Sequence, residues 1–155
     1  MKVAVACDHA GFPLKQAVLE AVRQVGHEPL DLGTNADHPP IDWPDVAEWA
    51  GRAIQRGEAE RGIVICGSGV GVAVAANKLR GIRAGMCHDT YSAHQSVEHD
   101  NANMLSLGAR VIGPELAEDV VKAFLGAKFS GEERHMKRLA KLDALEAKEI
   151  GRQAG

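Results

Sequence analysis

The chain has few of the features that would mark a specialised class. Only three of its 155 residues are cysteine, at Cys7, Cys66 and Cys87, an odd and widely spaced set without a CxxC pair. Neither a disulfide framework nor a zinc knuckle is built from such a set, and free thiols are the expectation. Aromatic residues make up 4% of the chain, and the formal net charge is only -3. With no basic stripe and no RNA-type aromatic motif, nucleic acid is not expected as a partner, which points to a small molecule. No run of 18 apolar residues occurs, so no membrane partner is expected. The opening MKVAVACDHAG reaches Asp8 and His9 too soon for a signal-peptide core, and a cytoplasmic location is the expectation. No linker, repeat or low-complexity segment interrupts the chain, so residues 1–155 read as a single domain able to bury a core.

What the chain does have is alternation. Short apolar runs are expected as strands at Val3–Cys7, Glu28–Leu32, Gly62–Cys66, Ile82–Cys87 and Met104–Ile112, the last broken near Gly108. Between them, apolar residues at helical spacing place helices over Pro13–Val25, Pro44–Arg56, a stretch from about Val70, Thr90–Glu98 and Pro114–Leu125. Strands alternating with helices of this length imply an α/β fold, a five-stranded parallel sheet covered on both faces. The final segment differs. Ser130-Gly131-Glu132-Glu133 reads as a capping box, and a helix continues toward Ile150 with Met136, Leu139, Leu142 and Leu145 along one stripe. After a five-strand sandwich is complete, that stripe still needs a partner, and packing on a second subunit is the preferred reading.

In an open parallel sheet, ligands bind outside the carboxyl ends of the strands, where strand order reverses. In the common order this lies between the first and third strands. The loops concerned are Cys7-Asp8-His9-Ala10-Gly11 and Cys66-Gly67-Ser68-Gly69-Val70-Gly71. Asp8, His9, Cys66 and Ser68 should therefore surround one crevice. The glycines let backbone N–H groups face an anion, whether phosphate or a developing enolate. The loop reads GxGxG rather than GxGxxG, follows the third strand, and lacks the lysine of an NTPase loop, which argues against a dinucleotide or ATP. Cys66, at a helix entrance with an uncovered sulfur, is expected to have its thiolate favoured. Packing, redox chemistry and metal ligation remain alternatives for it. Cys7 and Cys87 read as small buried hydrophobes.

The ordered set DHAG, GTNADHPPIDWPDVA, CGSGVGVAVAANKLRGIRA, YSA with HDNAN, and LGARVIG resembles the family of ribose-5-phosphate isomerase B and galactose-6-phosphate isomerase along nearly the whole chain. The resemblance implies a Rossmann-like three-layer sandwich. It also implies a metal-independent and cofactor-free aldose–ketose isomerase working through an enediol, with active sites at a homodimer interface, a dimer of dimers being the alternative. It assigns the base to Cys66, since the position where some relatives carry an acid is Val72 here. Ser68 and the N–H groups of Gly67, Gly69, Val70 and Gly71 would hold the developing oxyanion, and His99 with Asp8 would open the sugar ring. His9, Arg110, Arg134 and Arg138 would hold the phosphate. Arg134 and Arg138 stand four apart and can point one way from a helix.

Two departures bear on the substrate. Many members read His-Asn-Asp where this chain reads His99-Asp100-Asn101, and many carry tyrosine where it has Trp43 before Pro44. An ionised Asp100 accepts hydrogen bonds but donates none. Ribose 5-phosphate is the first expectation, with tetrose 4-phosphates or hexose 6-phosphates as alternatives. A non-catalytic sugar-phosphate sensor is a further alternative, against which the joint presence of Cys66, Ser68 and His99 speaks. His27, His38, His88 and His94 read as surface or packing residues, His135, Lys137 and Lys141 read as solvated, and Cys87-His88-Asp89 is not expected to hold a metal.

Overall fold

The computed structural model describes residues 1–35 and 39–153. His38 lies outside the described residues. Five parallel strands, β1 (Lys2–Cys7), β2 (Glu28–Asp31), β3 (Arg61–Cys66), β4 (Ala84–Met86) and β5 (Met104–Gly108), alternate with α1 (Phe12–Gln24), α2 (Trp43–Gln55), α3 (Val70–Ala76), α4 (Thr90–Asp100) and α5 (Pro114–Gly126), and α6 (Glu133–Gln153) follows. This is the Rossmann-like α/β sandwich expected, with strand order β2-β1-β3-β5-β4. Prolines stand in the first turn of α1, α2 and α5, where a missing N–H costs nothing.

The exchange of β4 and β5 departs from the common order, and burial explains it. Every residue of Met104–Gly108 is buried, whereas Ala84–Met86 are half-buried or exposed. A wholly buried run takes the inner position and a short, half-wet one the edge. β4 is shorter than Ile82–Cys87 because side chains claim its backbone. Asn103 Oδ1 accepts from the Arg83 N–H at 2.8 Å, and Asn77 Oδ1 from the Ala84 N–H at 2.8 Å. β5 ends at Gly108 because Val111 and Ile112 turn back to donate to its carbonyl.

Side-chain alternation along the strands divides the core in two. Val3, Val5, Cys7, Ile63, Ile65, Leu105 and Leu107 face one layer with α1, α4 and α5. Ala4, Ala6, Val64, Cys66 and Met104 face the other, under α2 and α3. Cys7 and Cys66 both end strands, yet they point to opposite faces. Cys66 alone meets the helix that follows the glycine loop.

The start of α6 differs from the expected capping box. The Ser130 hydroxyl accepts from the Glu132 N–H at 3.2 Å, and the Glu132 carbonyl receives the N–H groups of His135 and Met136. Glu132 is therefore the last residue before the helix. Glu146 accepts from the Gly81 N–H at 3.0 Å and ties α6 to the α3–β4 loop. Met136, Leu142, Leu145 and Ile150 remain exposed, the first and third at 56%. No helix among the described residues is long and apolar enough to cross a membrane.

Candidate active site

The loops after β1, β3 and β5 interlock at the carboxyl edge of the sheet through positions too tight for a side chain. A Cβ on Gly11 would stand 2.2 Å from the Ile65 carbonyl oxygen, and one on Gly108 would stand 2.5 Å from the Ser68 carbonyl. With β5 adjacent to β3, the Ala109 N–H donates to the Cys66 carbonyl at 2.9 Å and the Arg110 N–H to the Gly67 carbonyl at 3.0 Å. The Arg110 side chain accordingly lies over Gly67.

Cys66 is 5% exposed, so its sulfur is covered rather than open as expected from the glycines. The cover is the loop itself. Gly69 adopts φ +82°, a left-handed conformation that suits glycine, and its N–H donates to Cys66 Sγ at 3.1 Å. The Val70 N–H donates to Ser68 Oγ at 3.2 Å. Two of the loop donors are thus already engaged, one on the sulfur. Val72, 0% exposed, shares the core layer of Cys66 and brings no acid to it.

Asp8 is 5% exposed, and its Oδ1 accepts from the Gly11 N–H at 2.8 Å, which shapes the turn into α1 and leaves the second carboxylate oxygen available. His9, Ser68 and Arg110 are exposed around it. Asp8, His9, Cys66, the glycine loop and Arg110 are therefore brought to one place.

His99, Asp100, Arg134 and Arg138 are brought to another. α4 leaves the carboxyl edge after β4 and runs back beside the parallel strands, so its last residues lie at the amino edge, just before β5 begins. At about 1.5 Å per residue, the helix carries His99 some 15 Å from the edge that holds Cys66. The Ser130 N–H donates to the Glu98 carbonyl at 3.0 Å and brings the start of α6 to the same end. Within one chain His99 does not approach Asp8. Asn101 ends α4 at φ +48°, a conformation asparagine tolerates better than most residues, which accounts for asparagine at 101 and leaves Asp100 exposed on the last turn.

His135 is not a solvated residue. It is 1% exposed, its Nδ1 lies 2.6 Å from Ser130 Oγ, and its ring stacks on His99 with centroids 4.2 Å apart and planes at 27°. The fall of a histidine on the inner side of an exposed basic helix carries no sequence signal that separates it from its neighbours. Lys137 and Lys141 are exposed, as expected.

Other contributors were readable only in part. Trp43 lies against Gly71, where a Cβ would meet its indole at 2.9 Å, and at 43% exposure it walls the glycine loop. The fully buried Ser106 hydroxyl donates to the Gly69 carbonyl and holds the loop from below. Its signal was the one polar residue in Met104–Gly108. His88 Nε2 accepts from the Gly108 N–H at 2.9 Å, and burial pushes its pKa down, favouring the neutral ring that can accept. Lys15, buried on α1, pairs with Asp31 at 2.9 Å and donates to the Thr34 carbonyl, which anchors the loop after β2.

Burial pushes the Cys7 and Cys87 thiols up, consistent with inert packing residues. In the Cys87-His88-Asp89 run each side chain is engaged separately, Asp89 capping α4 through the Ser92 N–H at 2.6 Å. Among the described residues no group of three His, Cys, Asp or Glu side chains is placed to hold a metal ion.

The chain as a whole is similar to known proteins. The family model of the ribose/galactose isomerases matches residues 3–142. The chain belongs to that family. It is 43% identical over 145 residues to ribose-5-phosphate isomerase B of Escherichia coli, covering 94% of this chain and 96% of that one. It is 41% identical over 131 residues to D-erythrulose-4-phosphate isomerase of Pectobacterium atrosepticum, covering 84% and 86%. The solved structure of Clostridium thermocellum ribose-5-phosphate isomerase B, 42% identical, superposes with a TM-score of 0.90 over 96% of this chain and 99% of that one. The protein is an aldose–ketose isomerase of this family.

Proposed function

We propose that the protein interconverts an aldose phosphate and its ketose phosphate, ribose 5-phosphate and ribulose 5-phosphate first, through an enediol with Cys66 as base. One observation carries the reading: Cys66 Sγ stands at the switch point of the sheet with the Gly69 N–H aimed at it, between Asp8 and the Arg110 loop. The thiolate takes the proton from C2 of the open-chain aldose. The electron pair moves into the C1–C2 bond, and the aldehyde oxygen becomes the enediolate oxygen, stabilised by loop N–H groups and Ser68. The C2 hydroxyl gives up its proton to the enediolate oxygen on C1, and the thiol returns its proton to C1 as the C2 carbonyl forms, giving the ketose.

The remaining roles fall to residues at the other end of the sheet, so the reading includes a second copy of the chain. In it, Cys66, Asp8, His9 and Arg110 of one subunit meet His99, Asp100, Arg134 and Arg138 of another, with His99 opening the ring and the arginines and His9 holding the phosphate. The exposed stripe on α6 offers apolar surface for such an assembly. A four-carbon substrate is the second reading, favoured by the similarity to D-erythrulose-4-phosphate isomerase, with Trp43 walling the glycine loop and Asp100 facing it from the second copy.

Complementation between inactive variants tests this arrangement. Cys66→Ala and His99→Asn chains, each poorly active on ribose 5-phosphate alone, should regain up to about a quarter of native activity when co-expressed, because half of random dimers carry one intact site. No recovery in verified mixed dimers would exclude sites shared in this way. Incubation in deuterated water should place deuterium at C2 of the aldose, and a sensor would leave it unlabelled.

A further inference from the structure

The His99–His135 stack is built more carefully than packing requires. Ser130 Oγ accepts from the Glu132 N–H at 3.2 Å and lies 2.6 Å from His135 Nδ1, which pins that edge of the ring. The other ring nitrogen, Nε2, is buried and has no hydrogen-bond partner among the described residues. An apolar ring would fill this space without stranding a ring nitrogen. On the exposed side of the pair, Gln95 Nε2 donates to His99 Nδ1 at 2.9 Å and sets the edge of the His99 ring. The stack sets its face.

Burial, His99, Arg134 and Arg138 all disfavour a proton on His135, against Glu132, which favours one. Glu98 lies 3.8 Å from His99 Nε2, and His94 pairs with Glu98 at 3.5 Å on the outer side of α4. An imidazolium at His99 is favourable over a neutral aromatic face and unfavourable over a second cation. A neutral platform lets His99 gain and lose a proton without swinging away.

We propose that His135 is a positioning residue for His99: pinned by Ser130 and stacked beneath the His99 ring, it holds that ring in one orientation through its proton transfers. The inference rests on His99 as the ring-opening residue, and it concerns how that residue is held rather than what it does.

The test compares His135→Ala, which removes the platform, with His135→Phe, which keeps an aromatic face and removes the stranded nitrogen. His135→Ala should lower kcat on ribose 5-phosphate by about tenfold to a hundredfold, the size expected of a misplaced reacting group, with KM nearly unchanged. His135→Phe should recover most of that loss. An open-chain four-carbon aldose phosphate should be isomerised within about twofold of native by both, since no ring is opened. In parallel, the NMR signal of the His99 Cε1–H should keep its stacked position in His135→Phe and move to an unstacked position with an altered titration midpoint in His135→Ala. An unmoved His99 signal in a folded His135→Ala protein would overturn the proposal, as would a folded His135→Phe protein no better than His135→Ala. If His99→Asn damages four-carbon and five-carbon substrates equally, ring opening fails as the role of His99. The NMR comparison then still decides whether His135 positions it.

Discussion

The backbone of Gly108 lies so close to Ser68 that a Cβ there would stand 2.5 Å from both the carbonyl carbon and oxygen of Ser68. Gly108 ends β5 and Ser68 lies in the glycine loop that follows β3, and their contact clamps that loop to β5. Because the obstruction is backbone, no side chain can move to relieve it. Gly108→Ala should cost about 1–3 kcal/mol of stability, the range for overpacking. It should also lower kcat/KM by about a hundredfold through displacement of the loop. Thermal unfolding and steady-state kinetics check both, and a native Tm with native activity would contradict the clamp.

Cys66→Ala should reduce kcat by roughly 10² to 10⁴, the contribution of a positioned base, while substrate affinity stays within a few-fold. Deuterium exchange into C2 of the aldose should fall in step. Near-native turnover would remove Cys66 from the chemistry and leave its bond from Gly69 as packing alone.

His99→Asn should slow isomerisation of cyclic ribose 5-phosphate by about 10² or more while sparing a four-carbon aldose phosphate, which has no free hydroxyl to close a five-membered ring. The two kcat/KM values, measured side by side, give the answer. Equal damage to both would assign His99 a different role.

Asp100→Asn should change which sugar phosphate is preferred more than how fast the best one turns over. A site matched to a substrate hydroxyl can reject an analogue without it by about 10⁴, because a polar group is left unpaired. Ratios of kcat/KM across four-, five- and six-carbon sugar phosphates measure the change. An unaltered ranking would mean that Asp100 does not touch substrate.

Acid should loosen the clamp at Gly108. The pKa of His88 is held below its ordinary value by burial, so the unfolded chain binds its proton more readily than the folded one. Stability is therefore unimpaired above the unfolded value of about 6.5 and falls as pH drops through it. A protonated His88 also cannot accept from the Gly108 N–H. Unfolding midpoints measured from pH 7.5 to 5 should decline, and His88→Gln should flatten part of that decline. His27 and His135, depressed in the same direction, account for the remainder.

The sequence by itself determined the number and kind of elements and the place of the Cys66 loop. Both follow from local rules: apolar periodicity set the strands and helices, and glycines between a strand and a helix marked where backbone could face a ligand. The layer that each cysteine faces was not legible, because it depends on the β1–β3 register: Cys7 is aligned with Ile65, which turns Cys66 to the opposite layer. What tertiary structure alone decided is which distant residues meet. The exchange of β4 and β5 set Gly108 and Arg110 beside Cys66, through the burial of Met104–Gly108 against its neighbours on both sides. The burial of His135 within an otherwise exposed helix depended on the ring of His99 arriving from α4. The separation of His99 from Asp8 has the same origin. A parallel sheet returns each helix to the amino edge, so residues at opposite ends of α4 cannot share one site within one chain, however closely their motifs follow one another in sequence.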